Sequence, residues 1–229
     1  MGRRCPFASN DSLTMIAQSL KHLQDELPDG VKLVAVSKFH PVERLMEAYN
    51  AGQRIFAESR PQELAAKVPQ MPSDVRWHFI GHLQTNKLKL VLPYVSLVQS
   101  VDSLHLLQAI SAWAVANEKQ VNVLLEMHLG AEETKQGFSE EEILDLLEKP
   151  APEGVRICGL MGMATNTDDQ ALIESDFKRI EALFKSLRAK NLPFFDELSI
   201  GMSHDWRLAI RHSATMVRIG TDIFGPREY

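Results

Sequence analysis

The sequence contains little cysteine. Cys5 and Cys158 are the only two in 229 residues, which is too few for a disulfide framework. Cys158 stands in an apolar segment, and we interpret it as a small buried hydrophobic residue rather than as a reactive thiol. This cysteine usage is typical of a reducing compartment, so we expect a cytoplasmic protein.

Long apolar runs are also lacking. No stretch reaches the roughly 18 apolar residues that a membrane span needs. Arg3 and Arg4 are not followed by the apolar region of a secretory signal. Pro6 stands where a myristoylation signal after Met1 and Gly2 has serine or threonine. We therefore expect no association with a membrane.

An excess of basic residues is absent too, as is a metal-binding pattern. The 25 Lys and Arg residues are outnumbered by 30 Asp and Glu, for a net charge of −5, whereas nucleic-acid-binding proteins carry a basic footprint. His78 and His82 flank a glycine-containing turn instead of sharing a helix face, and no Cys-x-x-Cys pair occurs. We expect neither a nucleic-acid partner nor a metal site.

What the sequence does contain is a regular alternation of short apolar segments and longer amphipathic ones. The predicted strands cover residues 32–37, 53–57, 76–80, 97–101, 121–126, 155–160, 197–200 and 216–219. The predicted helices that follow them cover residues 41–51, 61–68, 85–92, 103–117, 139–149, 169–190 and 204–212. Eight such units indicate an α/β fold with a parallel sheet, and they match a single (β/α)8 TIM barrel better than an open sheet.

The ends of individual elements carry recognisable signals. Ser139 and Glu142 form a capping box, and Pro41 is suited to the first residue of its helix. An additional helix is predicted over residues 12–27, capped by Asp11 or Ser12, after a flexible segment 1–11. No linker separates a second domain, so we expect one domain over residues 1–229. The polar loop 129–138 is expected to lie over the barrel mouth.

Active sites of such barrels form at the carboxyl ends of the strands. The residues at or just beyond those ends are Ser37, Lys38, Ala57, Glu58, Ser59, His78, Gly81, His82, Gln84, Glu126, His128, Met161, Met163, Gly201, Met202, Ser203, Arg218, Gly220 and Thr221.

Lys38 is the sharpest candidate among them. A lysine at the end of an apolar strand is poorly hydrated, and desolvation disfavours its ammonium form, which leaves a nucleophilic amine able to form an imine. The alternative interpretation is a lysine whose ammonium group extends past the barrel rim into solvent. Position alone does not decide between the two.

Gly220 and Thr221 follow the last predicted strand, where barrels often bind phosphate. Glycine lets the backbone approach an anion, threonine adds a hydroxyl donor, and Ser203 after strand seven could add a second one. Ordinary turn chemistry is the alternative. Arg218 precedes them and faces either a ligand ring nitrogen or a structural salt-bridge partner.

Taken together, several motifs resemble the YggS/PROSC family, the pyridoxal 5′-phosphate (PLP) homeostasis proteins. The motifs are Ala35-Val36-Ser37-Lys38, Trp77-His78-Phe79-Ile80-Gly81-His82-Leu83-Gln84-Thr85-Asn86-Lys87, Ser100-Val101-Asp102, Gly159-Leu160-Met161, Gly201-Met202-Ser203-His204-Asp205 and Thr215-Met216-Val217-Arg218-Ile219-Gly220-Thr221-Asp222-Ile223-Phe224-Gly225. The resemblance covers nearly the whole chain from about residue 31.

The resemblance implies a PLP fold-type III barrel like the N-terminal domain of alanine racemase. It implies that Lys38 carries PLP as a Schiff base, that Ser203, Gly220 and Thr221 hold the phosphate, and that Arg218 faces the pyridine nitrogen. Ser59 stands where the family usually has an asparagine near the ring, because Phe56-Ala57-Glu58-Ser59-Arg60 replaces Phe-Gly-Glu-Asn-Tyr. Ser213-Ala214-Thr215 likewise replaces the usual Gly-Ser-Thr. His78 and Met202 complete the expected cofactor-binding set.

Three functions fit these residues. The first is binding and supply of PLP in the cell without catalytic turnover, with transient contact to PLP-dependent apoenzymes and a monomeric state. The second is a PLP-dependent amino-acid racemase, against which an arginine at the ring nitrogen argues, because an unprotonated pyridine is a weaker electron sink. The third is an aldolase that uses Lys38 without a cofactor.

Overall fold

The structure is a computed structural model that describes residues 14–130 and 136–226. Cys5, the segment 1–11 and the proposed caps Asp11 and Ser12 lie outside the described residues. Eight parallel strands close into a barrel in chain order, each paired with the next and the last paired with the first. The predicted (β/α)8 barrel is therefore confirmed.

The elements follow one another as alternating strands and helices. The strands are β1 Lys32–Val36, β2 Ile55–Glu58, β3 Arg76–Phe79, β4 Val95–Val101, β5 Val121–Met127, β6 Val155–Gly162, β7 Glu197–Ser199 and β8 Met216–Ile219. The helices of the described chain are α1 Met15–Glu26, α2 Val42–Asn50, α3 Pro61–Lys67, α4 Leu88–Val91, α5 Leu104–Ala116, α6 Glu140–Leu147, α7 Gln170–Arg188, α8 Trp206–Arg211 and α9 Thr221–Phe224. Two 3-10 turns lie at Val68–Gln70 and Thr85–Lys87.

Helix starts are where sequence and structure differ most. Helix α1 begins at Met15 and not at residue 12, because the Thr14 side chain accepts the amide hydrogen of Ala17 and caps the helix there. Pro41 is the extended N-cap of α2 rather than its first residue. The short helix α9 is absent from the prediction, whereas the capping box of Ser139 and Glu142 is confirmed.

Strand alternation divides the apolar residues into two clusters. Val34, Ala57, Leu124 and Met216 belong to the cluster inside the barrel, whereas their strand neighbours pack outward against the helices. This is the period-two pattern that strands of a barrel impose. Cys158 packs against the inner cluster but is only half-buried, so it is less buried than the sequence predicts.

Closure of the barrel brings the two ends of the chain together. In β1 and β8, Lys32 pairs with Met216 and Ala35 pairs with Ile219. Lys38 and Gly220 therefore both emerge from the same barrel face, just past the carboxyl ends of neighbouring strands. No helix in the described chain is long and apolar enough to cross a membrane.

Gly159 marks an irregularity in β6 where the register against β5 shifts. Its φ is +151°, and a Cβ atom there would lie 1.8 Å from the carbonyl oxygen of Glu197 in β7. Residues other than glycine rarely adopt this backbone conformation. The close neighbour is the backbone of Glu197, which cannot move without the rest of β7. The position admits glycine alone without a shift of β7.

We therefore expect Gly159→Ala to lower the free energy of unfolding by about 3 kcal/mol, from overpacking and backbone strain together. Urea unfolding followed by circular dichroism measures it. Gly52→Ala is the matched control: Gly52 also has a positive φ, +101°, but open space around it, so only strain of about 1 kcal/mol is expected. Equal losses in the two variants would contradict the argument from close approach.

Candidate functional site

A cavity of about 300 Å³ opens at the carboxyl ends of the barrel strands. Six of the eight predicted cofactor-binding residues line it: Lys38, Met202, Ser203, Arg218, Gly220 and Thr221. They come from the ends of β1, β7 and β8, which closure of the barrel makes neighbours. An amine, a guanidinium and two hydroxyl groups thus share one concave site.

The other two predicted residues do not line this cavity. Ser59 follows β2 and is half-buried, with its backbone close against Gly81. His78 lies deeper, inside the barrel, with 5% of its surface exposed. Burial lowers the pKa of His78 to about 3, so its imidazole is neutral.

Several lining residues were not singled out as ligand contacts from the sequence. They are Val36, Ile80, Met161, Met163 and His204. The inward phase of β1 and β3 could have revealed Val36 and Ile80, because alternate residues of a barrel strand share a face. Met161 belongs to the apolar cluster inside the barrel and also forms part of the cavity wall.

The turn after β7 holds Ser203 in place. Gly201 adopts a φ of +94°, and the backbone N–H of Met202 donates to the Asp205 carboxylate. Asp205 is buried at 5% exposure, so this bond is shielded from water. On the other side of the cavity, Thr221 is the first residue of α9, immediately after Gly220.

Arg218 is a buried cation at the base of the cavity. Its Nη1 donates to the carbonyl oxygen and hydroxyl of Ser199 at 2.8 and 2.7 Å, and its Nη2 donates to the carbonyl oxygen of Gly162 at 2.9 Å. Only 4% of the residue is exposed, yet no carboxylate of the described chain lies within ion-pair distance of its guanidinium. Burial lowers its pKa to about 10, against the attraction of Glu126 and Asp205, and it remains charged.

A hydrogen-bond chain through the barrel interior fixes this guanidinium. Ser199 donates to Gln99 Oε1 at 2.7 Å, and Gln99 Nε2 lies 2.9 Å from His78 Nδ1. Because the amide nitrogen of Gln99 is a donor, His78 Nδ1 accepts and its proton resides on Nε2. Side chains from β3, β4, β7 and β8 therefore act together to orient Arg218. His78 takes part in the site through this chain rather than by lining the cavity.

A second cavity of about 270 Å³ adjoins the first and shares Met163 and Met202 with it. Glu126, at 7% exposure, lines this second cavity. Burial, together with the negative charge of Asp102, raises the pKa of Glu126 to about 7, and Arg218 and His82 oppose the shift. The flanks of the loop predicted to cover the mouth, at Leu129 and Gln136, line the same cavity; residues 131–135 lie outside the described chain.

No group of three or more His, Cys, Asp or Glu side chains in residues 14–130 and 136–226 is arranged to hold a metal ion. His82 instead lies 2.9 Å from a carboxylate oxygen of Asp102. Lys38 and Arg218 are basic, and Ser203 and Thr221 each offer a hydroxyl donor, which suits an anionic ligand better than a cation.

Comparison with known proteins adds to this geometry. Residues 12–228 match the family model of the alanine racemase N-terminal domain. The chain is 39% identical over 228 residues to a pyridoxal phosphate homeostasis protein of Pasteurella multocida. The match covers 95% of this chain and 97% of that protein.

Two solved structures of PipY from Synechococcus elongatus PCC7942 are similar as well. The structure without PLP matches with a TM-score of 0.86 at 34% identity, and the one with PLP bound matches with a TM-score of 0.82 at 33% identity. Each match covers 92% of this chain and 100% of the PipY chain.

The raised pKa of Glu126 predicts a pH dependence of stability for the ligand-free protein. The folded protein favours the neutral form of this carboxyl. Its contribution to the free energy of unfolding is therefore full below the unfolded-state pKa of about 4.5, and it is lost as pH rises through about 7. Glu126→Gln removes this titration. The stability of the variant relative to wild type should therefore rise by about 2 kcal/mol between pH 5 and pH 8.

Urea unfolding at the two pH values tests this expectation. Glu43→Gln, at an exposed position of α2, serves as the control and should show no such change. If the free energies of unfolding of Glu126→Gln and wild type differ by the same amount at both pH values, the raised pKa of Glu126 is contradicted.

Proposed function

The chain belongs to the family of pyridoxal phosphate homeostasis proteins, and from this membership we propose that it binds PLP as a Schiff base on Lys38 and takes part in keeping and supplying the cofactor in the cell. The observation that carries the proposal is the meeting of Lys38 with Ser203, Arg218, Gly220 and Thr221 around one cavity. An aldehyde ligand with an anionic tail needs an amine at one end and donors at the other.

The donor set fits PLP group by group. The aldehyde of the cofactor reacts with a primary amine to form an imine and water, and Lys38 is the lysine that lines the cavity. Ser203 and Thr221 each offer a hydroxyl donor to the phosphate, and Gly220 lets the backbone approach it. Val36, Ile80 and Met161 supply apolar contact for a ring.

Arg218 would donate to the pyridine nitrogen. Three of its five N–H groups are engaged by Ser199 and Gly162, which leaves two for a ligand. A guanidinium has no lone pair to share with a proton on that nitrogen, so the ring stays unprotonated. An unprotonated ring withdraws electrons less strongly, which favours a binding protein over a racemase.

We propose that the carrier works as one domain, as a cytoplasmic monomer, with transient contact to PLP-dependent apoenzymes. The monomeric state is supported by the scatter of large exposed apolar residues over separate elements, among them Met15 on α1, Leu104 on α5, Leu172 on α7 and Phe194 before β7. Such isolated residues do not form the contiguous apolar face of a stable interface.

Replacing Lys38 tests the linkage. Wild-type protein mixed with PLP should show the imine absorption, and reduction with borohydride should leave the cofactor's mass on the peptide containing Lys38. Lys38→Ala should lose both signals because the amine is gone. Lys89→Ala, an exposed lysine on α4, is the control and should retain both.

The same preparations separate a carrier from the racemase alternative. Wild-type protein loaded with PLP should exchange the α-hydrogen of amino acids with solvent deuterium no faster than free PLP does. Persistence of the reduced adduct in Lys38→Ala would refute the proposed linkage, and rapid exchange by the wild type would favour an enzyme.

Removal of both proposed phosphate donors, in Ser203→Ala with Thr221→Ala, should weaken PLP binding by about 100-fold, since hydrogen bonds to charged groups contribute about 1.5 kcal/mol or more each. Pyridoxal, which lacks the phosphate, should bind the double variant and wild type equally. Equilibrium dialysis of both ligands measures the ratio, with Ser73→Ala, an exposed serine, as control. Equal losses of affinity for PLP and for pyridoxal would show that these hydroxyls do not bind the phosphate.

A further inference from the structure

A buried charged cluster lies behind the strand end that carries Lys38. It consists of Lys67 and Glu63 on α3 and of Glu58 at the end of β2. The Lys67 ammonium lies 2.8 Å from Glu58 and 2.6 Å from Glu63, and the side chains are 7%, 0% and 19% exposed, respectively. We define these three residues as the Lys67 cluster.

The cluster contacts the backbone on both sides of Lys38. Lys67 Nζ donates to the carbonyl oxygen of Ser37 at 2.9 Å, and the Ser37 hydroxyl donates to Glu58 Oε1 at 2.6 Å. On the far side, the backbone N–H of Phe39 donates to Glu63 Oε1 at 2.7 Å. Residues 37 and 39 are thus both held by the same three side chains, with Lys38 between them.

The held segment has an unusual shape. Phe39 adopts a φ of +69°, a left-handed conformation that a bulky residue rarely occupies and that its surroundings must enforce. The bond to Glu63 holds its amide, and the Arg60 guanidinium lies 4.4 Å from the centre of its ring. The next residue, His40, stacks on Phe224 of α9 at 5.0 Å. The chain therefore turns sharply just after Lys38.

Stability alone is a weak reason for such a cluster. Burying an ion pair is often no more favourable than apolar packing, because desolvation offsets the attraction between the charges. Here Glu58 is fully buried, and its Oε2 has no hydrogen-bond partner in the described chain. A function in holding a specific backbone shape explains better why charges are buried at this place.

We propose that the Lys67 cluster positions Lys38, fixing the strand end so that the amine stays within reach of the cofactor's aldehyde while the cluster itself touches no ligand. None of the three residues lines the cavity that contains Lys38. The proposal rests on the proposed function, because it concerns the amine that forms the imine. It assigns a role to residues outside the binding site.

Glu63 is the position to test, because it is the most exposed member of the cluster and its loss leaves Lys67 paired with Glu58. Glu63→Ala removes the acceptor of the Phe39 amide, whereas Glu63→Gln keeps a side-chain oxygen for it. The apparent affinity for PLP, followed by the imine absorption, should fall about tenfold in the alanine variant and stay within about twofold of wild type in the glutamine variant, about 1.4 kcal/mol being a factor of ten.

Pyridoxine 5′-phosphate isolates the positioning effect, because it carries an alcohol in place of the aldehyde and cannot form the imine. Its affinity, measured by calorimetry, should be the same for wild type, Glu63→Ala and Glu63→Gln. Gln62→Ala, an exposed neighbour on the same helix, controls for general effects on α3. Thermal melting of every variant identifies any that fails to fold.

The outcomes separate the two proposals. If Glu63→Ala weakens PLP and pyridoxine 5′-phosphate equally, or weakens neither, the cluster has a structural role only and the positioning proposal is wrong. If the glutamine variant is as impaired as the alanine variant, the Phe39 amide is not the contact that matters, and the proposal is also wrong. If wild-type protein forms no imine that Lys38→Ala abolishes, the proposed function itself fails, whatever the Glu63 variants do.

Discussion

The pairing of β1 with β8 is the constraint on which the site depends. Residues 32–35 pair in register with residues 216–219, 184 positions further along the chain. The two segments therefore end at the same height of the barrel. Lys38 leaves one strand, and Gly220 and Thr221 leave the other, into a shared cavity. Neither strand alone could place an amine opposite the groups proposed to bind phosphate. The proposed chemistry therefore depends on closure of the barrel and not on any single local motif.

Closure also explains the polar groups inside the barrel. A guanidinium buried without an ion-pair partner would be unfavourable unless hydrogen bonds replaced its water. Arg218 obtains those bonds from Ser199 and Gly162, and Ser199 is in turn bonded to Gln99. Because these residues belong to strands around the barrel, the orientation of Arg218 is stable only in the closed ring. The same low-polarity surroundings strengthen its attraction for an electron-rich ligand atom.

Much of this could be predicted from the sequence, because the relevant signals are local. The alternation of short apolar segments with longer amphipathic ones located all eight strands. The ends of those strands identified Lys38, Arg218 and Thr221 as neighbours once a barrel was assumed. The Thr14 cap was missed because Asp11, Ser12 and Thr14 are all suitable caps, and local chemistry does not rank them. His78 reaches Arg218 only through Gln99 and Ser199. These contacts join different strands, and no spacing in the sequence encodes them.

The Lys67 cluster is a clearer example of contacts that the sequence does not predict. The spacing of Glu63 and Lys67 is readable as an ordinary i,i+4 pair on a helix, yet such pairs are usually exposed and weak. Only the packing of α3 against the ends of β1 and β2 buries the pair and brings it to Ser37. That burial also distinguishes the two lysines near this strand end. Lys67 donates to Ser37, Glu58 and Glu63 and, with all three ammonium hydrogens engaged, has no lone pair to offer an aldehyde. Lys38 instead lines the cavity of the candidate site, which agrees with a structural role for Lys67 and with the chemical role proposed for Lys38.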